Sequence, residues 1–239
     1  MFKADLHIHS VLSPCAALEM SPKNIVKRAV EEKLDIIAIT DHNHTKNIEV
    51  TQNIAKRYNI EVIPGVEVNS KEEVHILAYF QDIKKTELFQ EFIDLNRSEI
   101  LNTDHRFGYQ LVVDEDDNIL EDIKYLLTAA LSSSIEEITE KVAELDGICI
   151  PAHVNKYAYS IISQLGFIPK NLKIQAIEQI RPFNNEILKL YYGFSTIVTS
   201  DAHHPEQIGS NYSLFCIEKP DFNELKLALL NQQGREVKV

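Results

Sequence analysis

The chain has 239 residues, 44% of them hydrophobic and 25% charged, an ordinary globular composition with ample capacity for a core. Its formal charge is -12, from 24 basic against 36 acidic residues, which argues against general duplex nucleic-acid binding through Lys and Arg. Three cysteines without paired spacing (Cys15, Cys149, Cys216) make no disulfide framework. The N-terminus shows no signal peptide, and no apolar run approaches the ~20 residues needed to span a bilayer. A soluble cytoplasmic protein is expected.

The first predicted strand is Asp5-Leu6-His7-Ile8-His9-Ser10. Strand alternation puts Asp5, His7 and His9 on one face and Leu6 and Ile8 on the other. Two imidazoles side by side suit a metal ion, although two hydrogen-bonded core histidines would read the same. Ser21-Pro22 starts a helix with Ser as cap and Pro in the first turn, and Ile25, Val26, Ala29 and Val30 form its apolar stripe. Asp35 to Thr40 is a continuous apolar run, the mark of a parallel strand covered on both faces. It ends in Thr40-Asp41-His42-Asn43-His44. A second helix runs to about Tyr58. Strands follow at Val62 to Val68, containing Glu67, and at Glu73 to Phe80, containing His75.

From about 86 to 146 the pattern changes to a mostly helical insertion within a single domain spanning 1–239. A long helical pattern reaches about Asn102. The acidic stretch Asp114 to Asn118 lacks the central Gly and spacing of a calcium loop and reads as a solvated turn. Strands then resume. Gly147 to Ala152 leads to His153, Ile174 to Glu178 follows, and Ser195 to Thr199 leads to Asp201, His203 and His204. Leu214 to Ile217 is a last strand and Phe222 to Leu230 a closing helix. Strands alternating with helices describe an α/β fold, whose sites gather at strand carboxyl ends.

Of the nine histidines, six (His7, His9, His42, His75, His153, His203) lie in or just after predicted strands. Imidazoles and carboxylates suit Zn, Mn or Fe, and so many ligands exceed what one ion uses, which points to two or three divalent ions.

Asp5-Leu-His-Ile-His-Ser10, Ile39-Thr-Asp-His42, Pro64-Gly-Val-Glu67, Val74-His75, Pro151-Ala-His153 and Ser200-Asp-Ala-His203 together resemble the ordered motifs of the PHP (polymerase and histidinol phosphatase) family of metal-dependent phosphoesterases. The resemblance implies an α/β fold, a distorted (β/α)7 TIM-like barrel with up to three ions at the strand carboxyl ends. By position, His7, His9, Glu67 and Asp201 would hold the first ion. Glu67 would bridge to a second on His75 and His153, and His42 and His203 would hold a third. Asp41 would stand behind the ligands, and Asp5 would orient an imidazole. Where family members that build the third site carry Asp-Gly, this chain has Pro14-Cys15, so Cys15 or a water would take that place, or the third ion would bind weakly.

The implied chemistry is phosphoester hydrolysis by a metal-activated water, with two ions ~3.5–4 Å apart clamping the phosphate. Catalytic roles then fall to His203, Asp201 and His42, with a metal-bound water, His203 or His204 as proton donor. Lys156, Arg181 and Arg106 are candidates for positioning phosphate. The expected partner is a small phosphorylated substrate such as a nucleotide or sugar phosphate, with no membrane and no stable duplex nucleic acid. The alternatives are a 3'-5' exonuclease on short oligonucleotides, a non-catalytic metal-binding module, or a hydrolase of C–N bonds.

Overall fold

The hub of the sheet is Phe2–Ile8 (β1), whose residues from Ala4 onward are all buried. A computed structural model describes residues 1–239, the side chain of Leu188 excepted. Ser21 caps Pro22–Glu31 (α1) by accepting from the Asn24 amide, and Pro22 stands in the first turn. The apolar run becomes Ile36–Ile39 (β2), fully buried as a strand between two layers should be. Asn47–Ala55 (α2) then leads to Glu61–Asn69 (β3) and His75–Tyr79 (β4). Ile83–Asn96 (α3) follows, then Leu111–Val113 (β5), Ile119–Asp122 (β6) and Ile135–Glu144 (α4). Ile148–Pro151 (β7), Ile161–Leu165 (α5), Ala176–Glu178 (β8), Asn185–Leu190 (α6) and Ser195–Ile197 (β9) continue the barrel. Ser213–Cys216 (β10), Phe222–Leu229 (α7) and Glu236–Lys238 (β11) close the chain.

One sheet has the order β11-β10-β1-β2-β3-β4-β7, and β8 pairs with β9 in parallel. Backbone hydrogen bonds bring the two together at both seams. Gln175 N donates to Cys149 O between β8 and β7, while Ala202 exchanges bonds with His7 and His9 beside β1. The result is the expected distorted seven-stranded barrel (β1, β2, β3, β4, β7, β8, β9), left open along those thin seams. Ala4, Leu6, Ile36, Ala38, Ile63, Leu77, Ile150, Ala176 and Ile197, from every strand of that ring, meet in one apolar cluster, against which α7 packs Phe222 and Leu225. A second cluster lies between the sheet and α1 and α2, and a third beneath α3 and α4.

Two expectations change. The 86–146 segment is helical only at its ends, in α3 and α4. Between them lies the β5–β6 hairpin with flanking loops, because Leu111, Val112 and Val113 bury themselves against the barrel rim and the acidic stretch folds into the turn that joins the two strands. That turn is the solvated one expected: the Asp114 carboxylate accepts from the Asp116 and Asn118 amides. Along β1 the register against β2 shifts between Asp5 and Ile8, and Leu6 and Ile8 fall in different clusters. Asp5 consequently reaches no imidazole. Its carboxylate accepts from the Ser200 and Gly209 amides and ties down the loop after β9.

Candidate metal centre

Six of the ring's seven strands deliver functional groups from their carboxyl ends. β4 is the exception: it runs antiparallel to β3 and β7, so its first residue, His75, reaches the same rim. The rim thus gathers His7 and His9, Asp41 and His42, Glu67, His75, His153, Glu178, and Asp201 and His203 from segments far apart in sequence. Strain accompanies them. Asn43, His153, Tyr159 and Asp201 all take left-handed backbone conformations, at φ 47°, 28°, 57° and 51°, a cost that such sites commonly carry.

Glu67 is the centre, 1% exposed. Its Oε1 lies 3.4 Å from His7 Nε2, 2.9 Å from His75 Nδ1 and 3.3 Å from His153 Nε2. Its Oε2 lies 3.4 Å from His9 Nε2 and 3.0 Å from His42 Nδ1. Asp201 Oδ1 sits 3.3 Å from His7 Nε2 and 3.4 Å from His9 Nε2.

The outer nitrogens decide what the inner ones can do. His7 Nδ1 donates to Glu178 at 3.0 Å. Ser13 Oγ donates to Asp41 at 2.6 Å and so accepts from His9 Nδ1 at 3.0 Å. In their neutral, ligating form both histidines therefore aim Nε2 lone pairs inward, 3.1 Å apart, at the carboxylates of Glu67 and Asp201. Acceptors facing acceptors in a buried space call for a cation. The same need shows at Glu67 Oε1, His42 Nδ1 and His75 Nδ1, all buried without a hydrogen-bond partner. The residues present therefore fit divalent metal ions, and hydrogen bonds from behind fix the His7 and His9 tautomers as ligating histidines require.

Electrostatics agree. Burial would lower His7, but Glu178, Asp201 and Glu67 outweigh it and hold the imidazole well above its ordinary value. Burial, with His203 beside it, pushes His9 down to about 4. Burial would raise Glu67 and Asp201, yet the surrounding imidazoles hold both well below the usual carboxylate range. The pocket is built to hold positive charge.

Among the described residues, three sets of donor atoms lie close enough to share an ion: His7, His9 and Asp201; His42, Glu67 and His75; and His9, Cys15, His42 and His203. Each expected ligand is therefore present at the rim, with His153 against Glu67. Asp41 stands behind the centre, accepting from Ser10 and Ser13. Lys156 pairs with the second oxygen of Asp201. Arg181 lines a separate groove of about 510 Å³ with Lys156, Tyr157 and Phe183. Arg106 is exposed beside Asp104, outside the ring of ligands. His204 is also exposed, in the turn that follows His203. Sequence reasoning missed Glu178, which accepts from the His7 ring, the His153 amide (2.6 Å) and the Thr199 hydroxyl. The available signal was its place at a strand end, shared with every other carboxylate of the site. Over the centre opens a cleft of about 500 Å³, lined by His42, His75 and His203 and by Cys15, Phe107 and Tyr159.

A barrel whose rim crowds imidazoles around shared carboxylate oxygens defines a metal-dependent hydrolase fold. The chain belongs to the PHP domain family, whose model matches residues 5–233. It is 35% identical over 94 residues to an uncharacterized protein of Methanocaldococcus jannaschii, a stretch covering 35% of this chain and 54% of that protein. It is also 35% identical over 79 residues to a 5'-3' exoribonuclease of Haemophilus influenzae, covering 32% of this chain and 28% of the enzyme. In structure it resembles the lesion-specific endonuclease Q of Pyrococcus furiosus, with a TM-score of 0.76 at 20% identity over 99% of this chain and 57% of that one. A structure of endonuclease Q bound to a 27-mer duplex with an abasic lesion matches equally well, at TM-score 0.76. The chain spans about half the length of the first of these relatives and of endonuclease Q, and less of the exoribonuclease.

These relatives overturn the expectation of a small phosphorylated partner and of no duplex nucleic acid. The charge argument failed for a physical reason: a net charge summed over the whole surface says little about the field at one cleft, where bound cations dominate. Among the described residues no helix is long and apolar enough to cross a membrane.

Proposed function

We propose that this chain is a metal-dependent phosphodiesterase domain that removes nucleotides from the ends of short oligonucleotides. The observation that carries the metal chemistry is the convergence of five imidazoles on Glu67, with buried donor atoms that find no hydrogen-bond partner. The exoribonuclease and endonuclease relatives support nucleic acid as the substrate class.

His7, His9, Asp201 and Glu67 would hold one ion. Glu67, through its other contacts, would share a second with His75, His42 and His153. His203, His9 and His42 would hold a third near the mouth, with the Cys15 thiolate in place of the family's carboxylate. Imidazole and carboxylate donors with one thiolate suit Zn or Fe, and the two inner sites, which mix imidazoles with carboxylates and no thiolate, also suit Mn. Bound there, divalent ions supply Lewis acidity toward a phosphodiester and make water a competent nucleophile near neutral pH.

The chain's own residues do the rest. Glu178 and Ser13 hold the His7 and His9 rings in the ligating tautomer. Asp201 anchors both the inner histidines and the Lys156 ammonium, which thereby stands at the rim where a phosphate's charge would meet it. His203 donates Nδ1–H to the Asp201 carbonyl at 2.9 Å, leaving Nε2 to serve as ligand.

The test is end-labelled RNA and DNA oligonucleotides incubated with protein loaded with Mn, Zn or Fe. Progressive shortening that disappears in Glu67→Gln is expected. A protein that keeps its ions by metal analysis yet shortens none of them would sink the reading. In the cobalt-loaded protein, a thiolate-to-metal charge-transfer band should appear and be missing from Cys15→Asp; identical spectra would remove Cys15 from the ligand set.

A further inference from the structure

We propose that Phe107 and Tyr159 form a stacking subsite for the nucleobase of the substrate's terminal nucleotide, an inference that rests on the nucleic-acid reading above. The cleft over the metal centre is lined by His42, His75 and His203 together with these two aromatic rings. Tyr159 is 45% exposed and Phe107 51%, although each sits beside residues buried to a few per cent. What sets these two rings apart from other exposed aromatics is that both line the cleft over the metal centre, where an apolar planar group can cover them.

Their placement is enforced. The Tyr159 ring lies parallel to the His75 ring, 4.7 Å between centroids at 14°, so one face is covered by a ligand of the centre and the other is turned away from it. Its backbone carbonyl accepts from the His75 amide at 2.9 Å, and the residue holds a left-handed conformation to do so. Phe107 comes from the loop before the β5–β6 hairpin. Its amide donates to Asn102 Oδ1, and the next residue, Gly108, sits at φ 107° against the Pro14 loop. A Cβ at Gly108 would lie 1.9 Å from Pro14 O, so only glycine permits this close approach, and it clamps Phe107 beside Cys15.

A planar base fits a wall of this kind, and stacking accepts every base because each has a π face. With the terminal phosphodiester over the ions, the attached base would lie along the aromatic wall, so the subsite selects an unpaired end over a blunt duplex end. A small phosphoester without a base would forgo it.

The experiment compares wild type, Phe107→Ala and Phe107→Tyr on single-stranded oligonucleotides that end either in a normal nucleotide or in an abasic residue. Phe107 supplies no ligand atom to the centre, and metal analysis of each variant checks that its replacement leaves the ions in place. Phe107→Ala should raise KM about ten- to a hundredfold on the base-bearing end, the range that one stacked base supplies. It should change kcat little, leave the abasic substrate unaffected, and be rescued in Phe107→Tyr. Equal KM in all three proteins, or an equal loss on the abasic end, would overturn the subsite. A terminal 2-aminopurine reads binding without cleavage, since stacking quenches its fluorescence. Quenching in wild type that Phe107→Ala abolishes supports the subsite even if no strand is cut, in which case the nuclease reading alone fails. No quenching in wild type overturns the subsite itself.

Discussion

Around Glu67 the decisive question at each histidine is which ring nitrogen faces inward, and the answer comes from residues that touch no ion. Glu178 is the strongest case. Its Oε1 takes the His7 Nδ1 proton and the Thr199 hydroxyl, and its Oε2 takes the His153 amide, all with the carboxylate fully buried. Glu178→Gln keeps the shape but turns one of these acceptors into a donor and removes a charge. Metal affinity should fall roughly 10–100-fold, the usual effect of disturbing a ligand's support, while circular dichroism stays unchanged. Chelator competition measures it, and an unaltered affinity would count against the role. The metal-binding residue types were readable from the sequence because donor chemistry belongs to the side chain itself. Glu178 was not, since a lone Glu ending a strand shows no partner until His7, 171 positions away, is folded onto it.

Among the elements, α1 and the first three strands follow their local signals: a capped Ser-Pro start, continuous apolar runs, polar strand ends. The 97–134 stretch did not, because helix-compatible residues there pack as a hairpin against the rim. The turn into α2 carries a prediction of its own. His44 is buried, and its Nδ1 accepts from the Thr45 and Lys46 amides at 2.9 and 3.3 Å, which requires the neutral ring. Burial, with Lys46 adding to it, pushes its pKa down from 6.5 to about 4. Below pH 6.5 the unfolded chain takes up a proton that the folded chain refuses until about pH 4. Stability from this group is thus present above 6.5 and lost as pH falls toward 4, by on the order of 3 kcal/mol. His44→Asn keeps an acceptor without a titration. Urea unfolding of chelated protein at pH 6.5 and 4.5 should show a smaller acid loss in the variant; equal losses would refute the assignment.

For the molecule as a whole, the centre joins six strands by their carboxyl ends and a seventh by its start, so whatever binds there ties the open barrel together across its seams. Removing the ions should lower thermal stability. At a hundredfold excess over its dissociation constant one ion contributes about 2.7 kcal/mol, or roughly 5–10 °C for a domain of this size. Melting with and without chelator measures this, and coincident curves would mean that the ions do not bind the folded chain preferentially. Whole-molecule charge is a poor guide to partners, since an acidic surface coexists with a cleft that gathers imidazoles and carboxylates.

The sequence by itself determined the family, the barrel and the imidazoles and carboxylates that gather at its rim, because strand periodicity and donor chemistry are local and survive in one dimension. Only the tertiary structure decided which donor atoms lie close enough to share an ion, that Glu178 aims His7, that β4 runs backward to bring in His75, and that Phe107 and Tyr159 face the same cleft. Each of those depends on distances between residues remote along the chain, which packing and strand direction set and no local pattern records.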